Sequence, residues 1–328
     1  MTPRKGAAGK RPRNLVGQRD ALVSPRYAGS ATFARLPMLE EVPDWDVAVL
    51  GIPFDSGVSY RPGARFGPAH VRQASRLLRP YDQDLALAPF AAMQVVDAGD
   101  CDCTPYDIKQ AIGQIEARVT PLIDQGHSLV AIGGDHTVAL PLLRAVGRKH
   151  GPVAVVHFDA HLDTWDTFSG AAYTHGTPFR RASEEGWIDR EHSIHVGVRS
   201  SIYSPADLEE DGRLGFTLIR ASELDSEGVA ATVSRVLKRV GTAPIYISID
   251  VDVLDPSHAP ATGTPEAGGL TSRELLAILR GLAGCHIVGG DVVEVAPAYD
   301  VAEITGVAAA HLIYTLIGLL AVSRTRSR

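Results

Sequence analysis

Eight short apolar runs recur along the chain, each closed by glycine, proline or acidic residues: 47–52, 93–97, 129–132, 153–158, 194–198, 215–219, 245–250 and 287–293. Continuous apolar runs of this length predict strands covered on both faces, as in a parallel sheet. Between them lie segments with the apolar spacing of helices, at 106–125, 138–150, 229–240 and 272–282. Strands alternating with helices predict right-handed crossovers, with helices on both sides of one sheet. The run 308–322 is interrupted by His311 and falls short of the ~20 residues that span a bilayer. It predicts a buried helix that closes the domain. No repeat and no long linker follows Asp46. The expectation is one α/β domain over 46–328, preceded by a partly disordered N-terminal arm over 1–45.

In open α/β sheets, ligands gather at the carboxyl ends of the strands. Here those ends carry acids and histidines. Asp135 and His136 follow the third run, Asp159, His161 and Asp163 the fourth, Asp250 and Asp252 end the seventh, and Glu294 follows the eighth.

Composition narrows the class only a little. With 45% hydrophobic and 21% charged residues the chain reads as a soluble globular protein. A net charge of -6 argues against a general nucleic-acid binder. Three cysteines, two of them at Cys101 and Cys103, make no disulfide framework and favour a reducing cytoplasm. Cys101-Asp102-Cys103 lacks the second pair that zinc motifs carry. The start of the chain is basic (Arg4, Lys5, Lys10, Arg11, Arg13) with no apolar core of a secretory signal behind it. It reads as a solvated arm. No membrane or nucleic-acid partner is expected.

In His157-Phe158-Asp159-Ala160-His161-Leu162-Asp163, the spacing puts Asp159, His161 and Asp163 on one side of an extended segment. Two carboxylates facing each other in a cleft repel unless a cation neutralises them. Carboxylate plus imidazole suits Mn, Fe, Co or Zn. Alone, the segment reads equally well as a solvated turn. Ser248-Ile249-Asp250-Val251-Asp252 repeats the pattern at another strand end, while Asp255-Pro256 has the chemistry of a turn. Gly133-Gly134-Asp135-His136 adds a tight turn that sets His136 at the mouth of the cleft. Six ligands exceed the needs of one catalytic metal with an open position, and suit two bridged ions.

The segments GGDHT, FDAHLD and SIDVDVLDP, with Gly263-Thr264-Pro265-Glu266, resemble the signatures of the ureohydrolase family of arginases and agmatinases. Gly51-Ile52-Pro53-Phe54-Asp55-Ser56-Gly57, with the stretch from Arg61 to Pro68, is similar to the agmatinase branch. The likeness runs from about Asp46 onward. It implies a three-layer α/β/α fold around a mainly parallel eight-stranded sheet, assembled as a homo-oligomer (hexamer or trimer). It also implies two manganese ions per subunit. One would be held by His136, Asp159, Asp163 and Asp250, the other by His161, Asp159, Asp250 and Asp252, with Asp159 and Asp250 bridging. The implied reaction is attack of a metal-bridging hydroxide on a guanidinium carbon, with Asp163 accepting a hydrogen bond from the hydroxide. His175 resembles the histidine that shuttles a proton to the leaving amine, and Glu294 the carboxylate that orients the guanidinium. Leu162 stands where the family often carries threonine, and Ala261 where it usually carries glycine, which brings the pocket walls into question. Thr164-Trp165 replaces the asparagine by which arginases read an amino-acid head group.

The resemblance implies hydrolysis of a small guanidino compound to urea and an amine, with agmatine giving putrescine as the first expectation. Guanidinobutyrate, guanidinopropionate and a proclavaminate-type intermediate would use the same chemistry, with specificity set by loops near Tyr173 and 200–205. A single-zinc deacylase of this fold would not need His136, Asp163 and Asp252 together. A non-catalytic binding protein would be marked by a lost ligand, and none is lost. His157 and His195 read as core residues beside the site.

Overall fold

The computed structural model describes residues 14–124 and 126–326. The basic residues of the expected arm, from Arg4 to Arg13, lie outside the described residues.

The eight apolar runs form eight strands: β1 Val47–Gly51, β2 Val95–Asp100, β3 Ser128–Ile132, β4 Ala154–Phe158, β5 Ser193–Val198, β6 Phe216–Arg220, β7 Ile245–Asp250 and β8 Ile287–Val293. They make one sheet in the order β2-β1-β3-β8-β7-β4-β5-β6. Every pairing between them is parallel, so the expected mainly parallel sheet is wholly parallel. Alternate side chains serve opposite faces. Val47, Val49, Ile245, Ile247 and Ile249 join one apolar core, and Ala48, Leu50 and Tyr246 the other.

The helices are α1 Gly67–Ser75, α2 Pro89–Ala92, α3 Ile108–Asp124, α4 Ala139–His150, α5 Pro178–Glu184, α6 Pro205–Arg213, α7 Ala221–Val240, α8 Ser272–Gly281 and α9 Ile304–Arg326. Side chains of α1, α7, α8 and α9 fill the first core. Those of α3, α4 and α5 fill the second, on the opposite face. The result is the three-layer α/β/α architecture.

Two elements run longer than their apolar patterns. Helix α7 begins at Ala221 and is kinked at Gly228, whose φ of 81° interrupts the helical backbone. Helix α9 spans 23 residues, longer than the run 308–322. It is long and apolar enough to cross a membrane by composition alone, yet 78% of its most apolar window is buried inside the protein. Leu312, Ile313, Leu316, Ile317 and Leu320 pack into the first core. Burial against β8 and α1 is what its apolarity serves.

The packed body also begins ahead of Asp46. Phe33, Ala34 and Leu36 are buried. The Phe33 N–H donates to Asp97 Oδ2 at 2.6 Å, and the Ala34 N–H to Ser75 Oγ at 2.7 Å. The stretch expected as arm is pinned there to β2 and α1.

Candidate metal centre

Four adjacent central strands deliver the site. β3, β8, β7 and β4 are neighbours in the sheet, and their carboxyl ends carry His136, Glu294, the pair Asp250 and Asp252, and the trio Asp159, His161 and Asp163. Register brings these ends level: Ile132 pairs with Val292, Asp250 with Val293, and Phe158 with Ile249.

The turn after β3 depends on its glycines. A Cβ at Gly134 would lie 1.6 Å from the Phe54 carbonyl oxygen, so only glycine lets the two loops touch. Asp135 then starts a short 3-10 turn, its Oδ1 accepting from the Thr137 N–H at 2.9 Å. Its Oδ2 accepts from the Gly57 N–H at 2.7 Å. Burial, with Glu294 nearby, pushes the Asp135 carboxyl up to about 7.

His136 points its Nδ1 at three carboxylates: Asp163 Oδ2 at 3.0 Å, Asp159 Oδ2 at 3.1 Å and Asp250 Oδ2 at 3.5 Å. Its other nitrogen is held from behind. Nε2 lies 2.9 Å from Ser248 Oγ, which donates its own proton to Asp291 Oδ1 at 2.7 Å. Tyr246 donates to the other Asp291 oxygen at 2.6 Å. With the serine proton committed to Asp291, Ser248 accepts from Nε2–H, and the Nδ1 lone pair faces the carboxylates. Nδ1 is fully buried and has no hydrogen-bond partner. A lone pair facing anionic oxygens is repulsive unless a cation or proton lies between them. Burial opposes charge on His136, but the three carboxylates outweigh it and raise its pKa well above the ordinary value.

His161 repeats the arrangement. Its Nδ1 lies 3.2 Å from Asp159 Oδ1 and 3.1 Å from Asp252 Oδ2. Asp159 therefore offers one oxygen to the His136 cluster and the other to the His161 cluster. All six expected ligands come together. Asp250 stands with the His136 cluster, its second oxygen taken by the Asp252 N–H at 2.8 Å. Burial and the neighbouring Asp252 and Asp159 charges push Asp250 well above the usual carboxylate range. The donor set fits divalent ions: oxygen-rich, anionic, buried and, among the described residues, without a lysine or arginine ion pair at its oxygens.

His175 and Glu294 form a buried pair, Nδ1 to Oε1 at 2.9 Å. The same Oε1 accepts from the His136 N–H at 2.9 Å, while Oε2 is buried without a partner. Burial opposes charge on His175, yet Glu294 raises its pKa to about 9. Asp163 and Glu294 both hold left-handed backbone, at φ 55° and 66°. Such strain in non-glycine residues is typical of functional positions.

A cavity of about 210 Å³ opens over the cluster, lined in part by His161, Asp163, His175 and Asp250, and by Trp165, Phe168, Tyr203 and Glu266. The loop 200–205 contributes to it as expected. The loop near Tyr173 contributes through Thr174, His175 and Gly176, although Tyr173 itself packs beside the second core. Leu162 and Ala261 are buried away from the cavity, so these departures lie in the packing and leave the pocket walls untouched.

His157 and His195 are buried beside the site as expected, but their partners, and Ser59, Ser248, Asp291 and Asp211, were not foreseen. His157 sits between Asp159 (Nε2 to Oδ2, 2.8 Å) and His195 (Nδ1 to Nδ1, 2.7 Å), and His195 meets Asp211 at 3.0 Å. Burial holds His157 neutral, with its pKa pushed down to about 3. Ser59 Oγ lies 2.7 Å from His175 Nε2. Ser248 and Asp291 interrupt otherwise apolar strands, and that interruption is the signal that marks them.

The profile of the Arginase family matches residues 45–318. The chain is 44% identical to putative agmatinase 3 of Schizosaccharomyces pombe, over 92% of this chain and 82% of that protein. It is 43% identical to guanidinopropionase of Pseudomonas aeruginosa, over 94% and 97% of the two chains. Its fold is similar to that of proclavaminate amidino hydrolase from Streptomyces clavuligerus, with a TM-score of 0.87 and 42% identity over 92% and 100% of the two chains. A His and Asp cluster at the end of a wholly parallel sheet, a profile match over most of the length and relatives of this similarity agree: the chain belongs to the arginase family.

Proposed function

We propose that this protein is a two-metal hydrolase that splits a guanidino compound into urea and an amine, with manganese as the metal and agmatine as the first substrate. The observation that carries the reading is Asp159, whose two oxygens face His136 at 3.1 Å and His161 at 3.2 Å. One carboxylate serving two imidazole-carboxylate clusters is the arrangement a bridged metal pair needs. His136, Asp159, Asp163 and Asp250 would hold one ion, and His161, Asp159 and Asp252 the other, with Asp250 able to share. Four carboxylates against two imidazoles make a hard donor set, which favours manganese over zinc.

Two divalent ions, when bound, supply a water whose pKa is brought toward neutrality. The chain's own residues do the rest. Water adds to the guanidinium carbon, and the bond from that carbon to the alkyl-bearing nitrogen breaks. The leaving amine takes one proton and urea departs neutral. Asp163, in the cavity lining beside His136, can accept a proton from the attacking water. His175 lines the same cavity; its Nε2 accepts from the Ser59 N–H at 3.2 Å, and in the protonated form that Glu294 favours the ring can give a proton to the leaving amine. Glu294 holds its ring through Nδ1 and keeps Oε2 for a guanidinium N–H.

Trp165, Phe168 and Tyr203 with Glu266 offer aromatic faces and a carboxylate to an ammonium tail, and no Lys or Arg is among the described lining residues. That favours agmatine. A carboxylate-tailed guanidine is the second reading, because Thr174 Oγ1 and Ser200 Oγ are buried, unpartnered hydroxyls in the same lining. The test is urea release by the manganese-loaded protein from agmatine, guanidinobutyrate and guanidinopropionate. Agmatine is expected to give the highest kcat/KM. Preference for a carboxylate tail would transfer the reading to the second class, and no urea from any of them would sink the reaction itself.

A further inference from the structure

Far from the metal cluster, four arginines converge where the N-terminal stretch folds over α1. Consecutive left-handed residues, Ala34 at φ 49° and Arg35 at φ 59°, turn the Arg35 side chain under residues 16–30. Arg35 is 5% exposed, and its Nε and Nη1 are buried with no hydrogen-bond partner. Among the described residues only Nη2 finds a partner, donating to the Ser24 carbonyl at 3.1 Å. Arg26 and Arg76 also bury a partnerless Nε. Arg76 otherwise donates to the Arg26 and Gly29 carbonyls at 3.2 and 3.1 Å. Arg19 is the fourth cation, and the charges of Arg19, Arg76 and Arg26 all bear on Arg35, opposed by Asp20.

A buried guanidinium with two idle donors, crowded by three like charges, is costly unless an anion completes it. A cavity of about 380 Å³ adjoins it, lined by Arg19 and Arg35 and by Ser30 and Thr32. Glu41 also lines it, but one of its oxygens accepts from the Met38 N–H at 2.8 Å. The volume suits a small oxyanion, and guanidinium groups are the donors that recognise one.

We propose that Arg19 and Arg35, backed by the charges of Arg26 and Arg76 from outside the cavity lining, form an oxyanion-binding site, separate from the metal centre, that takes a free tetrahedral or carboxylate anion or a carboxylate from a second copy of this chain. The anion's oxygens accept from Arg19 and, with a small turn of the Arg35 side chain that opens its Nε and Nη1 to the cavity, from Arg35 as well, and neutralise the cluster. Occupancy fastens the N-terminal stretch onto α1 and so stabilises the fold.

The test titrates sodium sulfate into the metal-loaded protein at constant ionic strength, with chloride as the balancing salt, and reads Tm and molecular mass in solution. A saturable rise in Tm is expected for the wild type and for His161→Ala, which alters only the metal centre. Arg35→Met should weaken that response about tenfold or more, while Arg35→Lys should keep part of it and both should retain urea release. A second copy as the source predicts instead that Arg35→Met lowers the solution mass and that sulfate competes with assembly. The proposal is overturned if Arg35→Met changes neither the sulfate response nor the mass.

Discussion

His175 and Glu294 form a charged pair inside the protein, and this makes stability depend on pH in a definite direction. His175 titrates at about 9 in the fold against an ordinary 6.5. A group whose folded pKa is raised lends stability that is complete below its unfolded pKa and is lost as pH rises through the folded one. In the metal-free protein, the Tm advantage of wild type over His175→Gln should therefore be largest below about 6.5 and fade toward pH 9 and above. An advantage that grew with pH across that window would contradict the pairing. His157 acts through another residue. Its Nε2 fixes one oxygen of Asp159 at 2.8 Å, so His157→Ala should weaken metal binding by about 10–100-fold, read by competition with a chelator. Unchanged affinity would mean that Asp159 is held without it.

At the scale of elements, the loop contacts around the glycines carry a steric prediction. The Cβ of Gly134→Ala would meet the Phe54 carbonyl at 1.6 Å. Backbone cannot yield as a flexible side chain can, so this change should cost roughly 1–3 kcal/mol. Equilibrium unfolding of the metal-free protein measures it, and a loss below about 0.5 kcal/mol would mean the loops are free to part. Much of the architecture was legible because six of the eight strands are buried at every position and read as apolar runs, with only the edge strands β2 and β6 partly open. The six cluster residues were legible because five stand two apart at strand ends and His136 lies one residue beyond a paired glycine, after Asp135. Other elements were hidden for physical reasons. Helix α1 opens with Gly67-Pro68, and α6 buries little beyond Asp211, so neither shows an apolar stripe. Asp211 and Ser59 come from segments with no spacing relation to the ligands, and tertiary folding alone brings them to the site; His195 was legible as a core residue beside the site, but its contacts with His157 and Asp211 were not. Glu294 was legible as a site acid, but not that one of its oxygens would hold His175 and the His136 backbone together.

At the scale of the whole molecule, four central strands aim anionic ends at one place, and the fold bears that repulsion. Asp159, Asp163, Asp250 and Asp252 are each no more than 5% exposed. Cations that bind this cluster only when it is folded must stabilise the whole chain by linkage. The central claim is that Asp159 joins two metal positions. Its most direct test is the number of manganese ions bound per chain, measured on protein stripped with chelator and titrated back, for wild type and His161→Ala. Close to two ions are expected for the wild type, with loss of at least one in the variant. A single ion in both proteins would contradict it.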